Sequence, residues 1–107
     1  MDDFELSAGK ALDSIRQAID TSGLECDVEQ KGDGVLDIVL SDDSHIIVNR
    51  HAAAKEIWVA AKSGGYHFSF DGRNWIDSRH GEELFASLSR HLSEQGGEQV
   101  VLRSHRD

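Results

Sequence analysis

Glu56-Ile57-Trp58-Val59-Ala60-Ala61, then Ser63-Gly64-Gly65, then Tyr66-His67-Phe68-Ser69-Phe70 is the stretch from which the architecture follows. Each run alternates between two faces, which is the period of a β-strand. Ile57 and Val59 share one side, Trp58 and Ala60 the other. Tyr66, Phe68 and Phe70 fall together on one face. The glycine-rich break between the runs is too short for anything but a tight turn, so the two strands are antiparallel neighbours.

Working outward, the same spacing repeats. Leu24, Cys26 and Val28 alternate with Glu25, Asp27 and Glu29, which puts three carboxylates on one side of a first strand. Gly32-Asp33-Gly34 turns into a strand over Val35–Leu40, and Asp42-Asp43-Ser44 into another over Ile46–Arg50. After the strands at Glu56–Ala61 and Tyr66–Phe70, Asp71-Gly72-Arg73-Asn74 leads to a sixth around Trp75 and Ile76. Turns this close together predict an antiparallel meander of about six strands.

Helical periodicity brackets the strands. Phe4, Ala8, Ala11, Leu12, Ile15, Ala18 and Ile19 form one apolar stripe over residues 3–20. Asp2 with Glu5 makes a capping-box pattern, and Gly23 suits the helix end. A second helix is expected from about Glu82 to Gln95, with Leu84, Phe85, Leu88 and Leu92 as its stripe and Glu82 and Glu83 in its first turn. Gly96-Gly97 ends it, and Val100-Val101-Leu102 packs back on the domain. The expected class is α+β: one domain over residues 1–107, two helices on one sheet face. With that face covered, either Trp58 or the Ile57/Val59 pair points outward, and the pattern alone leaves both open.

Charge is distributed unevenly. The first 43 residues carry twelve carboxylates and three bases, whereas residues 44–107 carry eight of each. The whole net charge of −9 therefore sits at one end. Self-repulsion on this scale works against compactness, so the cluster is expected to meet something positive, a metal ion or a basic protein surface. At helical pitch Asp2, Asp13 and Asp20 fall together opposite the apolar stripe, beside the acidic side of the first strand if the two elements are neighbours. Such a row favours hard cations, but without convergence it binds them weakly.

Other functions are disfavoured. An acidic chain without a basic patch suits neither nucleic acid nor an anionic membrane. Ile46-Ile47-Val48, the longest aliphatic run, is far too short to span a bilayer. The acidic start does not read as a secretory leader, and the lone Cys26 cannot form an internal disulfide, so a cytoplasmic location is expected. Cys26 reads as a small core hydrophobe. The six histidines are scattered, with no metal-ligand helical spacing, and read mostly as surface residues. No nucleophile elbow, P-loop or dinucleotide fingerprint appears.

The segments Ile46-Ile47-Val48-Asn49-Arg50, Ile57-Trp58-Val59-Ala60-Ala61-Lys62, Gly64-Gly65-Tyr66-His67-Phe68 and Asn74-Trp75-Ile76, in this order and spacing, resemble the frataxin family, its bacterial branch most of all. The resemblance covers nearly the whole chain. It implies an α-β sandwich and a non-enzymatic, bacterial cytoplasmic role in iron–sulfur cluster assembly. It implies weak iron binding on an acidic ridge, here Asp13, Asp20, Glu25, Asp27 and Glu29 with Asp2, Asp3 and Glu5 nearby. The implied partners are the cysteine desulfurase, met by Asp20, Glu25, Asp27 and Glu29, and the scaffold protein. Trp58 matches the family's exposed sheet tryptophan, with Asn49 and Arg50 on the neighbouring strand as further contacts. A monomer that iron can drive into oligomers is expected. The alternatives are a purely protein-binding regulator with incidental metal, and, ranked lower, a ferroxidase or iron-storage protein. Arg16 and Gln17 interrupt the helix acids where the family is often denser in carboxylates, and His51, Ala52-Ala53-Ala54 and Glu56 also depart from its pattern.

Overall fold

The computed structural model describes residues 3–102. Its elements are α1 (Asp3–Ser22), β1 (Cys26–Gln30), β2 (Val35–Leu40), β3 (His45–His51), β4 (Glu56–Ala61), β5 (Gly64–Phe70), β6 (Trp75–Asp77) and α2 (Leu84–Gly96). The six strands form one antiparallel sheet in chain order, with β1 and β6 at its margins. Each strand therefore pairs only with its sequence neighbours, as the short turns require. Asp2, half of the expected capping box, lies outside the described residues.

One core lies between the helices and one sheet face. Leu36, Ile38 and Leu40 of β2, Ile46 and Val48 of β3, Ile57 and Val59 of β4 and Phe68 of β5 point into it. They meet the expected α1 stripe and Leu84, Phe85, Leu88 and Leu92 of α2, all buried. Because Ile57 and Val59 are at most 1 % exposed, period two sends Trp58 to the bare face. Phe70 leaves the core at the end of β5, 40 % exposed, and tilts against Trp75 at 5.0 Å. The hairpin after β4 turns at Lys62-Ser63, since Gly64 already pairs with Ala61.

α2 starts later than its composition suggests. Glu83 is its N-cap, and the carboxylate accepts from the backbone N–H groups of Phe85 (2.9 Å) and Ala86 (3.2 Å). Glu82 is spent on Arg90, whose Nη2 donates to it at 2.8 Å. Neither acid is thus in the first turn: one satisfies orphan amides directly, a stronger use than a dipole contact. Gly97 closes the helix in the left-handed conformation, φ 75°. The tail is tied back by two serines, Val100 N–H donating to Ser93 Oγ and Leu102 N–H to Ser89 Oγ, with Val100 and Leu102 buried and Val101 exposed.

His91 departs from the expected surface histidines. It lies on the core side of α2, 1 % exposed, against the Tyr66 ring. Burial, with the Arg90 charge beside it, holds the imidazole below its ordinary pKa.

Candidate functional site

α1 ends beside β1, and this margin carries the acids. Cys26 and Val28 of β1 turn toward the core, so Asp27 and Glu29 are exposed on the other side, with Glu25 just before the strand. Glu25 and Asp27 border a shallow cleft with Val39, Leu40 and Ser41. Asp20 borders another with Arg16, Gln17, Cys26 and Val28. The helix and strand acids therefore flank β1 from its two sides. Asp13 lies two turns earlier, roughly 10 Å along the axis, in a cleft with Arg16, Asp33 and Arg50. Arg16 lines the clefts of both helix acids, so a guanidinium stands inside the strip.

The first-turn acids are remote from this margin. Phe4 packs edge-on against Trp75 of β6, at the opposite edge of the sheet from β1. Asp3 and Glu5 are thus at the far end of a 20-residue helix, about 25 Å from Asp20 at 1.5 Å per residue. The expectation that they lie near the ridge is corrected by helix length alone.

The strip is a surface rather than a cage. Among the described residues no three His, Cys, Asp or Glu side chains converge as a metal site. Glu29 Oε1 is 3.1 Å from Lys31 Nζ, both half exposed, an ion pair of small net worth in water. Glu29 also stands directly across from Asp37, whose carboxylate is buried and bonds His45 Nδ1 at 2.7 Å. Sequence reasoning passed over this pair; the alternation of β2 places Asp37 on the acidic side of the sheet. The Cys26 thiol is pushed up by burial and then by the Asp27 charge, which keeps it protonated and unreactive.

The second surface is the bare sheet face. Asn49, Trp58 and His67 form one cross-strand row on β3, β4 and β5. The indole is flanked by His51 at 3.8 Å and His67 at 4.5 Å between ring centres, both stacked. Trp58 Nε1–H donates to Glu56 Oε1 at 2.8 Å. The structure does not bring Arg50 to this face. It shares the side of Ile46 and Val48, and its Nη2 donates to Asp33 Oδ2 at 2.8 Å. Gly34 makes room for it: a Cβ there would stand 3.0–3.1 Å from the Arg50 side chain.

Two helices on one face of a six-strand antiparallel meander define a two-layer α-β sandwich, here with an acidic margin and a tryptophan on the uncovered face. The frataxin-like domain model matches residues 1–98, and the chain belongs to that family. It is 49% identical over 105 residues to the iron-sulfur cluster assembly protein CyaY of Dechloromonas aromatica, covering 96% of this chain and 100% of the relative. The CyaY proteins of Janthinobacterium sp. (46%) and Cupriavidus metallidurans (43%) each match over 94% of both chains. The solved structure of frataxin from Psychromonas ingrahamii superimposes with a TM-score of 0.86 at 28% identity, over 94% of this chain and 95% of that one. No helix among the described residues is long and apolar enough to cross a membrane.

Proposed function

We propose that this chain is an accessory protein of iron–sulfur cluster assembly that acts by docking. Its acidic margin, Asp20, Glu25, Asp27 and Glu29, binds the cysteine desulfurase and holds iron weakly. The sheet face around Asn49 and Trp58 meets the scaffold protein. The observation that carries the reading is the placement of Glu25, Asp27 and Glu29. All three are exposed on or beside a margin strand, open to a basic surface and not converging on one point. Such a row attracts a positive partner over long range and sets its register. Its oxygen donors suit a hard cation, held loosely because no coordination sphere is completed. A pure protein-docking role, with metal incidental, is favoured by the lack of any three converging His, Cys, Asp or Glu side chains among the described residues.

The test is calorimetric titration of the purified desulfurase, and separately of ferrous iron under argon. The proteins compared are the wild type and a variant carrying Asp20→Asn, Glu25→Gln, Asp27→Asn and Glu29→Gln. Desulfurase affinity should fall at least tenfold and iron binding should weaken. Unchanged desulfurase affinity overturns the docking assignment. Lost desulfurase binding with intact iron binding leaves docking as the function and moves iron elsewhere.

A further inference from the structure

The ring stack on the sheet face constrains how Trp58 can be used. His51 reaches the indole from β3 and His67 from β5, each within 12° of parallel, so they lie on opposite faces of the ring. The only polar atom of the indole, Nε1, is bonded to Glu56. That carboxylate is itself fixed: Ser69 Oγ donates to its second oxygen at 3.5 Å, and His67 Nδ1 stands 3.6 Å from the first. The Ala54 N–H donates to His51 Nδ1 at 3.3 Å, which orients that ring too. Both π faces and the donor of Trp58 are thus engaged within the chain. An aromatic or cationic group of a partner cannot stack on the indole without displacing an imidazole.

We infer that the contact unit of this face is the common edge of a three-ring slab, and that His51 and His67 are positioning residues that hold Trp58 edge-on. The slab fits a narrow slot on the partner with polar groups at its rim for the imidazole edges, not a flat ring or a cation laid over the indole. This inference rests on the reading that the sheet face meets the scaffold protein. Preorganisation of the indole removes the rotamer entropy that a lone surface tryptophan loses on binding.

The experiment is a double-mutant cycle read by calorimetric titration with the purified scaffold protein. In the free proteins it is paired with NMR relaxation and hydrogen exchange of the Trp58 indole N–H. His51→Ala and His67→Ala should each weaken scaffold binding roughly three- to tenfold, the range of an aromatic pair. Both should increase indole mobility and exchange. His51→Phe, which keeps a flat ring, should restore affinity and order. In a Trp58→Ala background the histidine substitutions should cost little more. If Trp58→Ala binds the scaffold as the wild type does, the sheet-face reading fails and this inference with it. If Trp58→Ala weakens binding but the histidine variants match the wild type, the slab alone is overturned. Equal losses with and without Trp58 make the histidines independent contacts, which also overturns their positioning role.

Discussion

Reversing Arg16, the cation between the two helix acids of the strip, should expose the repulsion it relieves. Arg16 stands three residues after Asp13 and four before Asp20, which are neighbouring positions on a helix surface. It also lines the clefts of both acids. Arg16→Glu turns two favourable i,i+3 and i,i+4 charge relations into repulsive ones, each change of sign counting about 0.2–0.5 kcal/mol lost and as much added in repulsion. The expected loss is about 1–2 kcal/mol at low salt, which for a chain of this length lowers the melting temperature by roughly 5–10 °C. Arg16→Gln should lie midway. Thermal melts followed by circular dichroism at 10 mM and 500 mM NaCl measure this. Screening should recover half or more of the loss. Millimolar magnesium or calcium should raise the variant's melting temperature more than the wild type's, because a denser carboxylate row binds cations better. A melting temperature for Arg16→Glu within 1 °C of the wild type, with the same salt dependence, would refute a strained acidic strip.

Three further outcomes are expected. Asp77 is 3 % exposed; burial raises its carboxyl, but the His80 ring and the Arg79 and His80 amides outweigh that and hold it below the usual carboxylate range. Its contribution is therefore present above the unfolded pKa and lost as pH falls through the folded one, so Asp77→Asn should cost about 1–3 kcal/mol at pH 7 and flatten the acid limb of urea midpoints. His91 is held neutral by burial, so below about pH 6.5 the unfolded chain takes up a proton that the folded one refuses. Stability should fall between pH 7 and 5, and His91→Gln should reduce that slope in the same urea series. Phe68 is fully buried on β5, one strand in from the sheet margin; Phe68→Ala should cost about 3–5 kcal/mol by urea unfolding, and a loss under 1 kcal/mol would contradict the packing described.

Much of this architecture is legible in the chain because its signals are local. The ends of β2 and β4 follow directly from alternation and adjoining turns, and the two apolar stripes define the helices. The start of α2 is not legible, because acids near a helix N-terminus read alike from composition. Only their positions show that Glu83 caps and Glu82 reaches Arg90. The direction of Trp58 was undecidable by period two alone, since both sides of β4 are apolar; the burial of Ile57 and Val59 resolves it. Adjacency in the chain does not put Arg50 on the face of Asn49, because consecutive strand residues point to opposite faces. The slab was invisible for another reason. His51, Trp58 and His67 sit on three successive strands, and only the register of β3, β4 and β5 stacks them. The acidic strip is readable as charge but not as distance: Asp3 and Glu5 belong to the same acidic stretch as Asp20, yet most of the helix separates them from it.

The position of β1 at the margin of the sheet gives its carboxylates a consequence apart from any partner. An open margin strand leaves backbone amides and carbonyls facing water, a template on which another strand can pair. A second copy of the chain approaching that template antiparallel would set its own Asp27 and Glu29 against this one's, at cross-strand distances where like charges repel. Like charges thus work against self-pairing at this edge, whereas a basic strand or loop would meet opposite charge. The carboxylates that would recruit a partner would thus also disfavour pairing of this edge with a second copy.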